Sequence, residues 1–131
     1  MRLLLDTHVW LWSLAAPEKL GKRVRAALER ARADLWLSPI STWEVLVLAE
    51  RGRIRLGTSP GDWIAAALRR TPAHEAPLNH EVALRSREVL PDHADPADRF
   101  LVATALVYDL TLVTADDALL RARACPVLAN R

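Results

Sequence analysis

Cysteine is almost missing from this chain of 131 residues: Cys125 stands alone. One thiol cannot close an internal disulfide. It also excludes a cysteine-built zinc site and fits a reducing compartment. Glutamine is absent, a trait that leans toward heat-stable proteins. No uninterrupted apolar run approaches the ~20 residues that a membrane span needs. The first residues, Met1-Arg2-Leu3-Leu4-Leu5-Asp6, lack the apolar core of a signal peptide. The expected location is therefore cytoplasmic. Internal repeats, low-complexity tracts and linkers are also missing, which predicts a single domain over residues 1–131.

What is present is an ordinary globular composition, 51% hydrophobic and 26% charged. The formal charge is +2 and the pI about 9.2, a mild basic excess that by itself says little about a nucleic-acid partner. Nearly all the cations are arginine, with Lys19 and Lys22 the only lysines. Arginine suits two-point contacts with phosphate, although a GC-rich genome enriches it anyway and is the larger cause. The aromatics are unevenly divided, five tryptophans against one Phe and one Tyr.

Hydrophobic periodicity predicts strands alternating with helices. A first strand covers about residues 2–6, and a short helix runs from Val9 to Leu14. Pro17 interrupts the chain, and an amphipathic helix follows from Gly21 to Ala33 with Val24, Ala27, Leu28 and Ala31 on one face. Leu35 to Ser38 reads as the second strand. Ser41 with Glu44 three residues on has the capping-box spacing of a helix that ends near Arg51-Gly52. Pro60 to Arg70 is a helix, Glu75 to Pro77 a third strand and Asn79 to Arg87 a helix. Asp95-Pro96-Ala97-Asp98 is a strong helix start. The apolar segment Phe100 to Tyr108 places that helix in the interior. Strand Thr111 to Thr114, a short helix over Asp117 to Arg123 and a last strand at Pro126 to Leu128 complete the chain. This alternation predicts an α/β fold with a parallel sheet.

Right-handed crossovers put every strand's C-terminal end, and the start of the helix after it, on one edge of such a sheet. Asp6 and Asp116 then stand at strand ends, and Glu44 and Asp98 in first helical turns. Four carboxylates packed together would raise one another's pKa. A hard divalent cation relieves that repulsion, and all-oxygen donors favour Mg²⁺ or Mn²⁺. One such ion, or two about 3.5–4 Å apart, can support phosphodiester cleavage. Each acid also has a plainer use. Glu44 and Asp98 sit at capping-box positions, Asp95 is an N-cap, and Asp116 or Asp117 caps a helix. Only Asp6 has no evident capping job, since Thr7 would serve better.

The same residues carry a family resemblance. The matching pieces are Leu5-Asp6-Thr7-His8 with Leu11-Trp12, Ser38-Pro39-Ile40-Ser41-Thr42-Trp43-Glu44, and Arg51-Gly52-Arg53-Ile54. They continue through Leu90-Pro91 and His93 to Asp95-Pro96-Ala97-Asp98-Arg99 and Ala103-Thr104-Ala105. Leu112-Val113-Thr114-Ala115-Asp116 closes the set. In order and spacing the chain resembles a PIN-domain ribonuclease of the VapC type, the toxin of a bacterial toxin–antitoxin pair. The resemblance implies a three-layer α/β/α fold with a central parallel sheet of four to five strands. It implies a Mg²⁺- or Mn²⁺-dependent endoribonuclease whose metal-binding acids are Asp6, Glu44, Asp98 and Asp116. Asp95 is a neighbour that contacts a ligand or only caps. RNA substrate, an antitoxin and a second copy of the chain are the implied partners.

Other residues are weighed beside these. Thr7 either assists the site or caps a helix. His8 and His93 are more naturally hydrogen-bonding partners of acids than catalysts. Arg99 either pairs with the acid cluster or grips a phosphate, and Arg51, Arg53 and Arg55 form a basic strip able to track an RNA backbone. Trp10 and Trp12 cannot face the same way, so one belongs to the core, and Trp43 is expected to pack beneath the site. Three readings compete with a toxin: a nuclease of RNA maturation or decay, a DNA-cleaving enzyme, and a non-catalytic RNA-binding or interaction module in which the acids are helix caps.

Overall fold

The computed structural model describes residues 1–93 and 95–131. Five strands, β1 (Leu3–Leu5), β2 (Leu35–Leu37), β3 (His74–Glu75), β4 (Thr111–Thr114) and β5 (Val127–Ala129), form one sheet in the order β3-β2-β1-β4-β5. Every neighbouring pair is parallel. The helices are α1 (Thr7–Ala15), α2 (Lys22–Arg30), α3 (Pro39–Glu50), α4 (Pro60–Arg70), α5 (His80–Ser86), α6 (Pro96–Val107) and α7 (Asp117–Ala122). Strand β1 is central because Leu3, Leu4 and Leu5 are all buried, the continuous apolar run that a parallel strand covered on both faces requires.

The two-residue period of a strand splits this run between two cores. Leu3 and Leu5 join Leu35, Leu37 and Val113 on one face, against Trp10 of α1, Val24 and Ala27 of α2 and Ala67 of α4. Leu4 and Leu112 face the other way, against Ala97, Leu101, Val102 and Ala105 of α6 and Leu119 of α7. Each leucine buried in this way stabilises the fold by about 1.5–3 kcal/mol. The result is the expected three-layer α/β/α arrangement. Helix α6 is buried from Leu101 through Ala105, as its apolar sequence predicts. Trp10 is fully buried and Trp12 only partly, so the two divide as their spacing requires.

Several boundaries shift. The first helix starts at Thr7 rather than Val9, with Asp6 as its N-cap. The third strand is His74–Glu75, displaced from the expected Glu75–Pro77 and confined to an exposed edge. The larger correction concerns α3, which is capped by Ser38 and not by Ser41. The Ser38 hydroxyl oxygen accepts the Ile40 N–H at 3.0 Å, and Pro39 holds the first helical position. A proline at that position fixes the start one residue before it, and this outranks the Ser41-to-Glu44 spacing. Glu44 therefore lies in the second turn, where it has no capping role.

Candidate active site

Because all five strands run the same way, the ends of β1, β2 and β4 open on one edge. Asp6 directly follows β1, Asp116 stands two residues beyond β4, Glu44 projects from α3, and Asp95 and Asp98 come from the start of α6. With His8, Trp12 and Ala115 these five carboxylates line a pocket of about 310 Å³. A roomier hollow of about 450 Å³, bounded by Leu37, Pro39, Leu68 and His74, is mostly apolar and holds only Glu75 as an acid.

Asp6 is 8% exposed, and both of its oxygens are engaged. Oδ1 accepts the Thr7 N–H at 2.7 Å, and Oδ2 accepts the Thr114 hydroxyl at 2.6 Å. Asp6 thus does occupy a helix-capping position, contrary to the sequence reading. The Thr114 hydroxyl oxygen also accepts the Asp116 N–H at 3.0 Å, so one buried threonine ties two of the acids together. Asp116 turns Oδ1 to the Ala118 and Leu119 N–H groups and caps α7. Of the two adjacent acids, Asp116 lines the pocket, while Asp117 opens the helix.

Glu44 is held from below. Its Oε1 accepts the Thr7 hydroxyl at 2.5 Å, and the Thr7 oxygen lies 3.1 Å from the Ser41 hydroxyl. Thr7 has one hydroxyl hydrogen, which the carboxylate takes, so Ser41 donates to Thr7. Thr7 and Ser41 are both buried. Thr7, one of the residues considered as an RNA contact, is thus buried and donates its hydroxyl to Glu44.

Asp95 caps α6 through the Ala97 N–H at 2.9 Å. Asp98, three residues on, points its Oδ2 at His93 Nε2, 2.6 Å away. Arg99 does not pair with the acids, as one sequence reading expected. Its Nε donates to the His93 carbonyl at 2.7 Å and its Nη2 to the Pro91 carbonyl at 2.9 Å. Among the described residues no lysine or arginine forms an ion pair with any of the five pocket acids.

The electrostatic consequence appears in three pKa values. Burial pushes Asp6 up, with Thr114 and Thr7 opposing and Asp116 adding to the rise. Burial also raises Glu44, against the Thr7 hydrogen bond and with help from Asp6 and Asp95. Asp98 is pushed from 3.8 to about 7, by burial first and then by Asp95, Asp6 and Asp116, while His93 pulls it down. Negative charge is concentrated here, and among the described residues no lysine or arginine forms an ion pair with it.

Such an all-carboxylate donor set suits a hard divalent cation. Among the described residues no three acidic or histidine side chains stand at the spacing of a formed cation cage. Their oxygens are turned to Thr7, Thr114, His93 and the helix N–H groups instead.

Arg51, Arg53 and Arg55 are exposed at and beyond the far end of α3, and none lines the pocket. Trp43 is 50% exposed and does not pack beneath the site, because α3 buries the face carrying Ile40, Ser41 and Val45. Sequence reasoning missed the supporting roles of Ser41, Thr114 and Arg99. No local signal marked these contacts, because the Thr7 side chain bonds Glu44 rather than Asp6 beside it and the Thr114 hydroxyl donates to the distant Asp6.

Residues 3–124 match the PIN domain family. Over 117 residues the chain is 34% identical to Ribonuclease VapC22 of Mycobacterium tuberculosis, covering 87% of this chain and 86% of that protein. The fold matches that of DNA-bound VapBC from Salmonella typhimurium with a TM-score of 0.75 at 13% identity, over 100% of this chain and 99% of that one. It matches FitAcB from Neisseria gonorrhoeae with a TM-score of 0.68 at 23% identity, over 98% and 97%. Among the described residues no helix is long and apolar enough to cross a membrane.

Proposed function

The chain belongs to the PIN-domain family, and from that premise we propose that it is a divalent-metal-dependent endoribonuclease, the toxin of a toxin–antitoxin pair. The observation that carries this reading is the convergence of Asp6, Glu44, Asp95, Asp98 and Asp116 on one pocket that, among the described residues, no lysine or arginine lines. Asp6, Glu44, Asp98 and Asp116 would hold Mg²⁺ or Mn²⁺, with Asp95 beside them. When bound, the cation supplies neutralisation of phosphate charge and a more acidic water.

The protein's own groups prepare this arrangement. Thr114 holds Asp6 and the backbone of Asp116 in fixed relation, Thr7 orients Glu44, and His93 orients Asp98. The Thr114–Asp6 bond is buried, where a low local dielectric strengthens it. Arg51, Arg53 and Arg55 offer an exposed basic strip for the RNA backbone. Trp43 and Leu68, 50% and 47% exposed, offer apolar surface for the antitoxin or a second copy.

Purified protein should cut RNA when Mg²⁺ or Mn²⁺ is added, and EDTA or Asp6→Asn should stop it. Cutting that persists through both treatments comes from a contaminating nuclease and removes the basis of the proposal. Expression should arrest growth, and a co-expressed antitoxin should relieve the arrest. A cutting enzyme without arrest belongs instead to RNA maturation or decay.

One observation favours a second reading. Asp6, Asp95 and Asp116 each serve as an N-cap, as they would in a non-catalytic module. Titration with Mn²⁺ separates the two, because a set of caps alone gives no binding near the acids.

A further inference from the structure

We propose that Arg99 is a positioning residue that sets the orientation of Asp98 through His93; the inference rests on the metal-dependent reading above. The argument begins with connectivity. Arg99 directly follows Asp98 on α6, yet its guanidinium reaches back to the loop before that helix. Nε takes the His93 carbonyl at 2.7 Å and Nη2 takes the Pro91 carbonyl at 2.9 Å. The His93 N–H closes the same turn on the Leu90 carbonyl at 2.9 Å. The ring of His93 is thereby carried to Asp98, Nε2 to Oδ2, at 2.6 Å. One helix thus presents a carboxylate and, through the next residue, fixes the group that holds that carboxylate.

The backbone is consistent with a loop held from outside. Leu90 has φ of 48°, a left-handed conformation that a leucine keeps only where its surroundings enforce it. Two donors at fixed separation aimed at two carbonyls is a task for a planar guanidinium. An ammonium is a single point of charge and cannot hold both carbonyls in the same way.

Groups that hydrogen-bond to metal-ligating side chains set their orientation, and losing such a group typically weakens metal binding about 10–100-fold. Competing roles for Arg99 make different predictions. As a mere cation near five acids, Arg99 would oppose metal binding, and removing its charge would tighten it. As a phosphate grip, it would change the KM for RNA and leave metal affinity alone. As a positioning residue, it predicts weaker Mn²⁺ binding even in Arg99→Lys, where the charge is kept.

The test is calorimetric titration of the EDTA-stripped full chain with Mn²⁺ at fixed ionic strength. Arg99→Lys, Arg99→Gln and His93→Ala should each bind Mn²⁺ about 10-fold or more weakly. His93→Gln, whose amide can still donate to Asp98, should recover part of the loss. The double variant Arg99→Lys/His93→Ala should bind no more weakly than His93→Ala, because both act through one contact. Unchanged or tighter binding in both Arg99 variants overturns the inference while wild-type binding leaves the nuclease reading standing. Losses that simply add in the double variant also overturn it. A wild-type protein that binds no Mn²⁺ removes the nuclease reading and this inference with it.

Discussion

Replacing Asp98 by asparagine should make the metal-free protein more stable while abolishing the proposed cation binding. In the folded protein, burial and the neighbouring Asp95, Asp6 and Asp116 push Asp98 from 3.8 to about 7. A carboxyl raised in this way binds its proton more tightly when folded than when unfolded. Below pH 3.8 both states hold the proton and nothing is lost. The penalty grows as the pH rises toward about 7 and is complete above that value.

At full weight the shift corresponds to about 4 kcal/mol. The pocket opens to solvent and the His93 hydrogen bond favours the charged carboxylate, so about 1–2 kcal/mol is the reasonable expectation. Asparagine removes this penalty but forfeits about 0.3–1 kcal/mol of favourable interaction with the N-terminus of α6. The net gain is about 1 kcal/mol at pH near 8, a rise in Tm of roughly 3–5 °C, and it fades to nothing near pH 4.

Thermal melts in EDTA at these two pH values provide the measurement. A second set with Mn²⁺ should reverse the order at pH near 8. Saturation at 100 times Kd stabilises the wild type by about 2.7 kcal/mol, and the variant should gain little. An equal loss of stability at both pH values would identify Asp98 as a structural cap and refute the argument.

Three other outcomes follow from the same geometry. Thr114→Val removes the buried donor to Asp6 and frees the part-buried Asp116 N–H to water; it should lower stability by about 1–3 kcal/mol and, by chemical denaturation, show a reduced midpoint at unchanged slope. Ser38→Ala should cost about 1 kcal/mol as a lost cap, whereas Ser41→Ala should leave helix stability nearly intact and lower kcat by loosening Thr7 and Glu44; equal effects in denaturation and turnover assays would contradict the cap assignment. Changing Arg51, Arg53 and Arg55 together to Gln should raise KM for RNA with kcat unchanged and flatten its salt dependence; an unaltered salt slope in the cleavage assay would exclude that strip from the RNA path.

How much of this was readable beforehand depended on which physical signal carried it. The sheet was legible because Leu3-Leu4-Leu5, Leu35-Trp36-Leu37 and Thr111-Leu112-Val113-Thr114 are short apolar runs between helices, and parallel topology then dictates the edge where the acids gather. Helix α6 was legible from Asp95-Pro96, where cap and proline agree. The start of α3 was misplaced because two serines offered competing caps and only the position of Pro39 distinguishes them. Asp6 was misjudged because its capping bond reaches the next residue's N–H, shorter than the usual span of such caps. The partners of the acids were not legible. Thr114 lies 108 residues from Asp6 and Ser41 lies 34 from Thr7, and no local pattern reports a hydroxyl that meets its carboxylate only after folding. Arg99 was misread for a related reason, since proximity in sequence to Asp98 suggests an ion pair while the guanidinium donates to the Pro91 and His93 carbonyls.

Strand β1 lies between β2 and β4, and β4 follows it in sequence only after two strands and six helices. During synthesis the first carboxylate therefore leaves the ribosome long before the strand that must lie beside it. Until that late strand arrives, Asp6 has neither its threonine nor its fellow acid Asp116. A growing polypeptide of this design has not yet gathered the acids of the pocket, and under the function proposed above a copy truncated before residue 111 should leave RNA intact.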